Sequence, residues 1–258
     1  MKKIAGVISF GVLTISIGLI LFGCKKYAKD EDKVFGVFFR KIYGTVGMVY
    51  EDNYLMNFTV YCFNETAPDT EDLSKWSFDN PNVQIGSMEY NLSYQENDLN
   101  VYTLTIGMKV KQDGDFTVHS LNYYSDDGGK RFPFGEIVLC RNTENPVFLA
   151  HGCDLYTGTK TATISFSDNN EQDFEIVDLH LGKQDILTYE YEKNVFYETG
   201  HELRYSIKID SSEKDGDVII CAPVFIINAE GENKFFAPYI PISYSKQMSY
   251  LDIREYVK

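Results

Sequence analysis

Apolar and polar side chains alternate with a period of two along much of the chain, which is the pattern of a β-strand with one buried face. The same pattern recurs in Asn57–Phe63, Thr161–Phe166 and Leu203–Ile209. In Val101–Val110 one face carries the side chains of Tyr102, Leu104, Ile106, Met108 and Val110. Strands with one buried and one wet face are typical of antiparallel sheets. The pattern therefore predicts an all-β fold.

Turn-forming residues separate the predicted strands. Two segments have helical character: Pro68–Trp76, with Asp69 or Thr70 as the N-cap, and Gln247–Tyr256, whose pattern fits a helix or a strand. Elsewhere, acidic residues followed by glycine suit hairpin turns at Asp113-Gly114, Asp126-Asp127-Gly128-Gly129, Asp215-Gly216 and Glu230-Gly231. The body of the protein is therefore expected to be a series of short hairpin-connected strands.

The two halves of the chain resemble each other. Residues 101–140 and 202–243 share the order strand, Asp-Gly-Asp turn, strand, acidic glycine turn, aromatic pair and final strand, and residues 58–63 resemble 163–166. A period of roughly 100 residues with about seven short strands is the size of an immunoglobulin-like sandwich. The halves resemble bacterial immunoglobulin-like extracytoplasmic domains. We predict two tandem antiparallel β-sandwich domains, 34–144 and 145–258, with Asn142–Pro146 at their boundary.

Composition narrows the class of protein. The chain has 258 residues, of which 15% are aromatic, so it contains enough apolar surface for packed cores and is not a disordered acidic tail. It carries 24 Lys and Arg against 38 Asp and Glu, a formal charge of -14. Nucleic-acid binding requires clustered basic residues, so this charge argues against a nucleic-acid partner and against a basic patch for anionic lipids.

The amino-terminal segment has the composition of an export signal. Lys2 and Lys3 precede an uncharged, mostly apolar run from Ile4 to Phe22. A run of roughly 20 residues could also span a bilayer as a retained helix, and an ordinary cleaved signal peptide is a further alternative.

The end of this run, Leu21-Phe22-Gly23-Cys24, resembles the lipobox of bacterial lipoproteins. The resemblance implies a signal peptide over residues 1–23, a diacylglyceryl group on the Cys24 thiol, and cleavage before Cys24. Two or more acyl chains anchor a protein stably in a membrane. Residues 24–33 are polar and would form a tether, so the body is expected outside the cytosol, at the cell surface or facing the periplasm.

The other cysteines leave several pairings open. Export permits disulfides among Cys62, Cys140, Cys153 and Cys221. Cys62–Cys140 and Cys140–Cys153 are the best candidate pairs, whereas free buried thiols would act as small apolar side chains. Because no Cys-x-x-Cys motif occurs, the sequence supports no redox or structural zinc site.

The histidines complete no metal or catalytic motif. His201-Glu202 begins like a zinc-protease helix, but Tyr205 stands where the second ligand belongs. His151 lies close to Cys153 in sequence, but two side chains are too few ligands for a closed metal site. His180 falls on the polar face of its strand and is expected to be exposed.

Acidic turns and aromatic side chains are better explained by solvation and packing than by binding. Ser211, Glu213 and Asp215 follow calcium-loop spacing, but Ala222 stands at the position of the bidentate acid. Alternation places many of the 19 tyrosines and 18 phenylalanines on inward faces. Candidates for exposed rings near turns are Tyr123, Tyr124, Tyr189, Tyr191 and Tyr197.

These observations favour a lipid-anchored, non-enzymatic cell-envelope protein that acts as a binding module or spacer. The one candidate site residue is Cys24, as the lipidation site, and no catalytic residue, metal or cofactor is expected. The alternative is an envelope-glycan hydrolase or carbohydrate-binding protein with its site between the two domains. A third possibility is an assembly partner that pairs through a long, uncharged edge strand. The sequence does not identify the partner, which could be a protein or a glycan of the envelope.

Overall fold

In this computed structural model, 66% of the described residues lie in strands and 5% in helices. The structure describes residues 34–49, 53–126, 128–146, 161–166, 172–183, 185, 187–211, 216–237 and 242–258, with only the backbone described at 211 and 242–245. The predicted signal peptide, the tether and Cys24 lie outside these residues. The expectation of an all-β sandwich fold is confirmed. No helix of the described ranges has the length and apolar character needed to cross a membrane.

Most consecutive strands are not hydrogen-bonded to each other, because they pair with strands that are more distant in the sequence. In the first half of the chain the strands are β1 Gly36–Phe39, β2 Ile42–Met48, β3 Asn53–Phe63, β4 Trp76–Phe78, β5 Val83–Glu96, β6 Leu99–Val110, β7 Gly114–Ser125 and β8 Gly128–Arg141. In the second half they are β9 Thr161–Phe166, β10 Phe174–His180, β11 Leu187–Tyr191, β12 Val195–Tyr197, β13 Leu203–Ser211, β14 Val218–Ala222, β15 Val224–Ala229, β16 Glu232–Phe236 and β17 Ile242–Ser245.

The strands form four sheets. Three of them are antiparallel and lie within single halves of the chain, in the orders β1-β3-β6-β5, β11-β13-β9 and β12-β10-β15-β16. The fourth, which we call the central sheet, has the order β17-β14-β2-β8-β7-β4 and takes strands from both halves.

The central sheet crosses the expected domain boundary. β2 pairs in parallel with β8 on one side and with β14 on the other, so residue Ile42 lies opposite both Gly135 and Val218. Residues Gly36–Lys258 form one compact unit. A strand of the second half thus completes a sheet that also contains strands of the first.

Alternation along β14 places its side chains in two different cores. Ile220 belongs to the first core, between the β1-β3-β6-β5 sheet and the central sheet. Ile219 and Cys221 point the other way, into the second core, with the β9, β10, β13 and β15 side chains. Tyr43 of β2 also reaches the second core. The central sheet is therefore apolar on both faces in this region, which suits parallel pairing.

A smaller apolar cluster covers β8 on the face turned away from the first core. It consists of Val49, Val138, Cys140, Val224 and Ala237. Their neighbours in β8, Ile137 and Leu139, belong to the first core. Two-sided burial explains why residues 137–140 form an uninterrupted apolar run instead of alternating.

The two segments with helical character have different outcomes. A short 3-10 turn, Leu73–Lys75, lies within the first segment, and its cap is Asp72, whose side chain accepts from the Ser74 N–H, not Asp69 or Thr70. The tail forms helix α1, Tyr250–Tyr256. Ser249 and Asp252 make a capping box at its start, and this reciprocal pair resolves the ambiguity in favour of a helix.

Those predicted turns that the structure describes lie between or at the ends of strands. Glu230 and Gly231 join β15 to β16, and both have positive φ, 57° and 85°, as a type I′ hairpin turn requires. Asp113-Gly114 joins β6 to β7, but these strands lie in different sheets, so the predicted hairpin is not formed there. Gly128-Gly129 begin β8, which forms a hairpin with β7. Asp127 and Asp215 lie outside the described residues.

Candidate functional site: two hollows beside the C-terminal helix

Two hollows flank helix α1, and each takes residues from both halves of the chain. We call the first the aromatic hollow and the second the acidic hollow. The aromatic hollow, ≈ 410 Å³, is lined by Arg40, Thr59, Tyr61, Tyr94, Glu96, Val101, Gln247, Met248, Ser249, Tyr250 and Ile253. The acidic hollow, ≈ 320 Å³, is lined by Lys41, Gly216, Asp217, Lys246, Met248, Asp252, Glu255 and Tyr256.

Helix α1 is held against the sheets by an apolar anchor and by hydrogen bonds at each end. Ile253 is 1% exposed and anchors the helix in the protein body. At one end the Tyr250 hydroxyl donates to Asp98 Oδ1 at 2.7 Å. At the other end the Tyr256 hydroxyl accepts from the Lys41 N–H at 2.9 Å and donates to Asp217 Oδ1 at 2.6 Å. These contacts fix the walls of both hollows.

Arg40 supplies a buried positive charge beside the aromatic hollow. Its residue is 8% exposed, its Nε donates to the carbonyl of Gly216 at 2.5 Å, and its Nη2 donates to that of Lys246 at 2.5 Å. Both partners are neutral carbonyls, and no carboxylate of the described ranges forms an ion pair with Arg40. Since a guanidinium can make five hydrogen bonds, it retains donors for an anion in the hollow.

Tyrosine rings form much of the aromatic hollow. Tyr94 is 40% exposed and Tyr61 is buried. Burial raises the pKa of Tyr61 to about 12, although the nearby positive charge of Arg40 acts in the opposite direction. The Tyr61 hydroxyl donates to Met248 Sδ at 3.7 Å. Glu96, on the rim, adds a carboxylate that can accept hydrogen bonds. A ring face, a cation and an acceptor together suit a ligand with a flat apolar side and polar groups.

The acidic hollow contains an incompletely satisfied buried carboxylate. Asp217 is 6% exposed, and its Oδ1 accepts from Tyr256, whereas its Oδ2 has no hydrogen-bond partner. Asp252 on the same hollow is occupied by the capping box of α1. Lys41 and Lys246 line the hollow with Glu255, so its charges are mixed. We regard the aromatic hollow as the stronger candidate because its rings and its cation are both available to one ligand.

The described cysteines are free thiols. Cys62, Cys140 and Cys221 are buried and unpaired, while Cys153 lies outside the described residues. Cys62 belongs to the first core and Cys140 to the cluster on the opposite face of the central sheet. A sheet therefore separates the members of the predicted Cys62–Cys140 pair, and this candidate disulfide is not formed.

The histidines that the structure describes lie beside carboxylates. His119 lies 3.5 Å from both Asp79 and Glu136, counted from its two ring nitrogens. His180 is about half exposed, as expected, and its Nε2 lies 2.7 Å from Asp115 Oδ1. His201 lies at the surface, 3.9 Å from Glu198. His151 and the calcium-like positions 213 and 215 fall outside the described residues.

Of the tyrosines singled out from the sequence, one is fully at the surface. Tyr124 is 56% exposed, whereas Tyr197 is 1% exposed and stacks on Phe174 with ring centroids 4.6 Å apart. Tyr123 packs against Trp76 at 4.7 Å. Tyr189 and Tyr191 pack partly buried against the second core. None of the five lines the aromatic hollow.

The residues of the aromatic hollow carry no local motif. Arg40 follows β1, Tyr94 lies near the end of β5, and Tyr250 opens α1, so only the fold brings them together. The pair Arg40-Lys41 between short strands was one available signal, because a buried charge at the end of an apolar segment such as residues 34–39 requires a structural or binding partner.

Comparison with known proteins gives distant structural likenesses. No family model and no curated protein matches this chain. One similar solved structure is a protein of unknown function from Porphyromonas gingivalis W83, at 11% identity and TM-score 0.25, covering 81% of this chain and 99% of that one. Another is the C-terminal domain of the antigen I/II-family protein AspA of Streptococcus pyogenes, at 8% identity and TM-score 0.24, covering 82% and 99%.

A third similar structure is the C-terminal domain of the antigen I/II polypeptide BspA of Streptococcus agalactiae, at 7% identity and TM-score 0.21. It covers 82% of this chain and 100% of that one. TM-scores this low establish no shared topology, and the function proposed for this chain rests on its own residues.

Proposed function

We propose that this chain is a lipid-anchored, non-enzymatic cell-envelope protein that binds an acidic glycan in the aromatic hollow. The observation that carries the proposal is Arg40, a buried guanidinium held by two main-chain carbonyls beside Tyr61 and Tyr94. Sugar rings present apolar faces that pack on aromatic rings. A carboxylate or phosphate on the glycan would pair with Arg40, and Glu96 would accept from sugar hydroxyls.

The hollow suits a binding protein because its walls are fixed before a ligand arrives. Tyr250 is held by Asp98, and the Arg254 Nη1 donates to the same hydroxyl at 2.9 Å. Fixed walls reduce the side-chain entropy lost on binding. Tyr94, on the exposed part of edge strand β5, is the ring most open to solvent and the best contact to remove in a test.

Binding can be measured with the full chain in detergent against immobilised polysaccharides. We expect retention on polygalacturonate, an acidic chain, and none on dextran, a neutral one. Tyr94→Ala should weaken binding about fivefold, since an aromatic contact contributes about 1 kcal/mol. The matched control is Tyr124→Ala, which removes another exposed tyrosine outside the hollow. Equal binding by wild type and Tyr94→Ala, or no retention on polygalacturonate, would contradict the glycan proposal.

The membrane anchor rests on Cys24 and is tested separately. Wild-type protein should fractionate with membranes and carry the added mass of acyl chains, whereas Cys24→Ser should remain unacylated. A Cys24→Ser protein that still fractionates with membranes at the wild-type mass would refute lipidation at this residue. This result would not contradict the glycan proposal, because Cys24 does not line the aromatic hollow, whose residues lie between Arg40 and Ile253.

Strand β5 favours a second candidate, assembly by strand addition. It runs for 14 residues at the edge of its sheet, and Leu92 is 57% exposed. Its charged side chains are Glu89 and Glu96. Long edges with few charges can pair with another chain. Assembly predicts a concentration-dependent dimer in light scattering that Leu92→Lys abolishes and Leu55→Lys, an equally exposed leucine on β3, preserves. A monomer at all concentrations would exclude self-assembly.

A further inference from the structure

Three side chains that can each bind a metal converge where β10 ends against the β7–β8 hairpin. Asp115 and Cys140 lie directly opposite each other in the β7–β8 register. His180 is the last residue of β10. One carboxylate oxygen, the Sγ atom and one imidazole nitrogen all lie within 4.8 Å of one another. The His180 Nε2 to Asp115 Oδ1 distance is 2.7 Å.

The main chain after His180 is fixed against the central sheet. Thr45 Oγ1 donates to the carbonyl of Leu181 at 2.5 Å. Gly182 has a φ of +66°, and a Cβ there would lie 3.0 Å from Cys140 Sγ and 2.5 Å from Val138 Cγ1. The backbone thus approaches the thiol as closely as a glycine allows. Ligands held on strands and supported by neighbouring contacts are well oriented for a metal.

The thiol is buried, whereas the imidazole and the carboxylate are partly exposed. Cys140 is 1% exposed, whereas the side chains of His180 and Asp115 are 48% and 36% exposed. The thiol forms the floor of the site, and the imidazole and carboxylate form its rim. A cation can enter from solvent between the rim groups, and a water molecule can occupy the remaining coordination position.

We propose that Asp115, Cys140 and His180 form a zinc site with one sulfur, one nitrogen and one oxygen ligand. Tetrahedral zinc needs bonds of about 2.0–2.3 Å, which place neighbouring ligand atoms about 3.3–3.6 Å apart. The His180–Asp115 separation is 2.7 Å and no ligand atom is more than 4.8 Å from another, so small rotations of exposed His180 and Asp115 suffice. On binding, the Cys140 S–H proton is released to solvent and the thiolate and the neutral Nε2 lone pair bind the ion.

The site would connect two sheets of the fold. Asp115 and Cys140 belong to the central sheet, whereas His180 belongs to the β12-β10-β15-β16 sheet. A bound ion would hold the end of β10 on the β7–β8 hairpin more firmly than the His180–Asp115 contact alone. Because a ligand that binds only the folded state stabilises it, zinc should raise the thermal midpoint of the protein.

The test uses Co²⁺ alone as a spectroscopic probe of the reduced full chain in detergent. We expect one equivalent of Co²⁺ to produce a thiolate-to-cobalt charge-transfer band together with intense tetrahedral d–d bands, and one equivalent of Zn²⁺ to remove both. The absence of a charge-transfer band in the wild-type protein would overturn the proposal.

Variants show whether Co²⁺ binds at these three residues or at other thiols and histidines of the chain. His180→Gln, at an exposed position, should fold normally, bind Co²⁺ about tenfold or more weakly and lose the Zn²⁺-dependent rise in thermal midpoint. Cys140→Ser should lose the charge-transfer band. The matched controls are Cys221→Ser, another buried free thiol, and His119→Gln, another histidine beside carboxylates; both should keep it. A band that survives Cys140→Ser, or unchanged affinity in His180→Gln, would overturn the assignment.

Discussion

Tyr256 in the C-terminal helix donates its hydroxyl proton to Asp217, at 2.6 Å, just before β14 begins. The same hydroxyl accepts from the Lys41 N–H, and the ring lies edge-on to Tyr61 with centroids 6.5 Å apart. One side chain therefore joins the last element of the chain to the start of the central sheet. The hydrogen bond from Tyr256 also satisfies one oxygen of the buried Asp217 carboxylate, whose other oxygen has no hydrogen-bond partner.

Tyr256→Phe should destabilise the protein while leaving its ring packing intact. Removing the hydroxyl deprives Asp217 of a donor and the Lys41 N–H of an acceptor. Loss of a donor to a buried acceptor costs about 2 kcal/mol. The free energy of unfolding, measured by urea titration, should fall by this amount. Tyr124→Phe at an exposed ring should change it little, and equal effects of the two variants would contradict the assigned role.

Gly44→Ala should disrupt the central sheet. Gly44 lies opposite Ile220 in the parallel β2–β14 pair, and a Cβ there would lie 1.9 Å from the Ile220 carbonyl oxygen. The main chain cannot yield at this point without breaking the pair, so the loss should reach about 3 kcal/mol or more. Gly129→Ala is the control, since its nearest neighbour would be 3.6 Å away. Thermal unfolding distinguishes them; a normal midpoint in Gly44→Ala would refute the parallel pairing.

Two buried thiols should resist alkylation in the folded protein. Burial raises the pKa of Cys62 to about 12, and the nearby Glu65 charge adds to this effect; burial raises the pKa of Cys221 to about 12. At pH 8 their thiolate fractions are therefore about a thousandfold below that of an ordinary cysteine. Peptide mapping after iodoacetamide treatment should find both unmodified until urea is added. Rapid labelling without urea would show that these strands open readily.

Asp178 should make stability depend on acid pH. Partial burial acts to raise its pKa, but hydrogen bonds from Lys193, the Leu179 N–H and Tyr191 outweigh burial and lower it. Its folded pKa lies below its unfolded value near 3.8, so its contribution is present above that pH and is lost as pH falls through the folded pKa.

Asp178→Asn tests this dependence directly. The variant should be about 1 kcal/mol less stable than wild type at pH 7, because it loses a charged hydrogen-bond acceptor. The difference should shrink below about pH 4, where the wild-type carboxylate becomes protonated. Urea titrations of both proteins at pH 7 and at a pH below about 4 measure this difference. Glu71→Gln, at an exposed acid, should show no such convergence, and a constant difference for Asp178→Asn would contradict the linkage.

The period-two alternation predicts strands and their inward faces accurately. Leu104, Ile106, Met108 and Val110 are all buried, as their spacing indicates. The same pattern identifies no partner strand, because it reports which face is apolar and not which chain segment covers it. The continuous apolar run 137–140 is the signal of two-sided burial, and its significance emerges only when β2 and β14 are seen beside it.

The candidate sites could not be predicted for a related reason. His180 was expected to be exposed, and it is, but nothing in its local sequence indicates that Asp115 and Cys140 lie within reach. Arg40, Tyr94 and Tyr250 likewise converge through pairing between distant segments. Motif recognition requires ligands at fixed spacing on one element, whereas these sites combine single residues from three elements.

The parallel pairing of β2 with β14 has a consequence for how the polypeptide matures. A long stretch of chain separates β2 from its neighbour β14, so a nascent chain cannot complete its first core until β14 has emerged. Until then the edge of β2 stays open, and pairing between segments so distant is entropically slow. Chains truncated before residue 218 should therefore be prone to aggregation and require a chaperone that shields this edge.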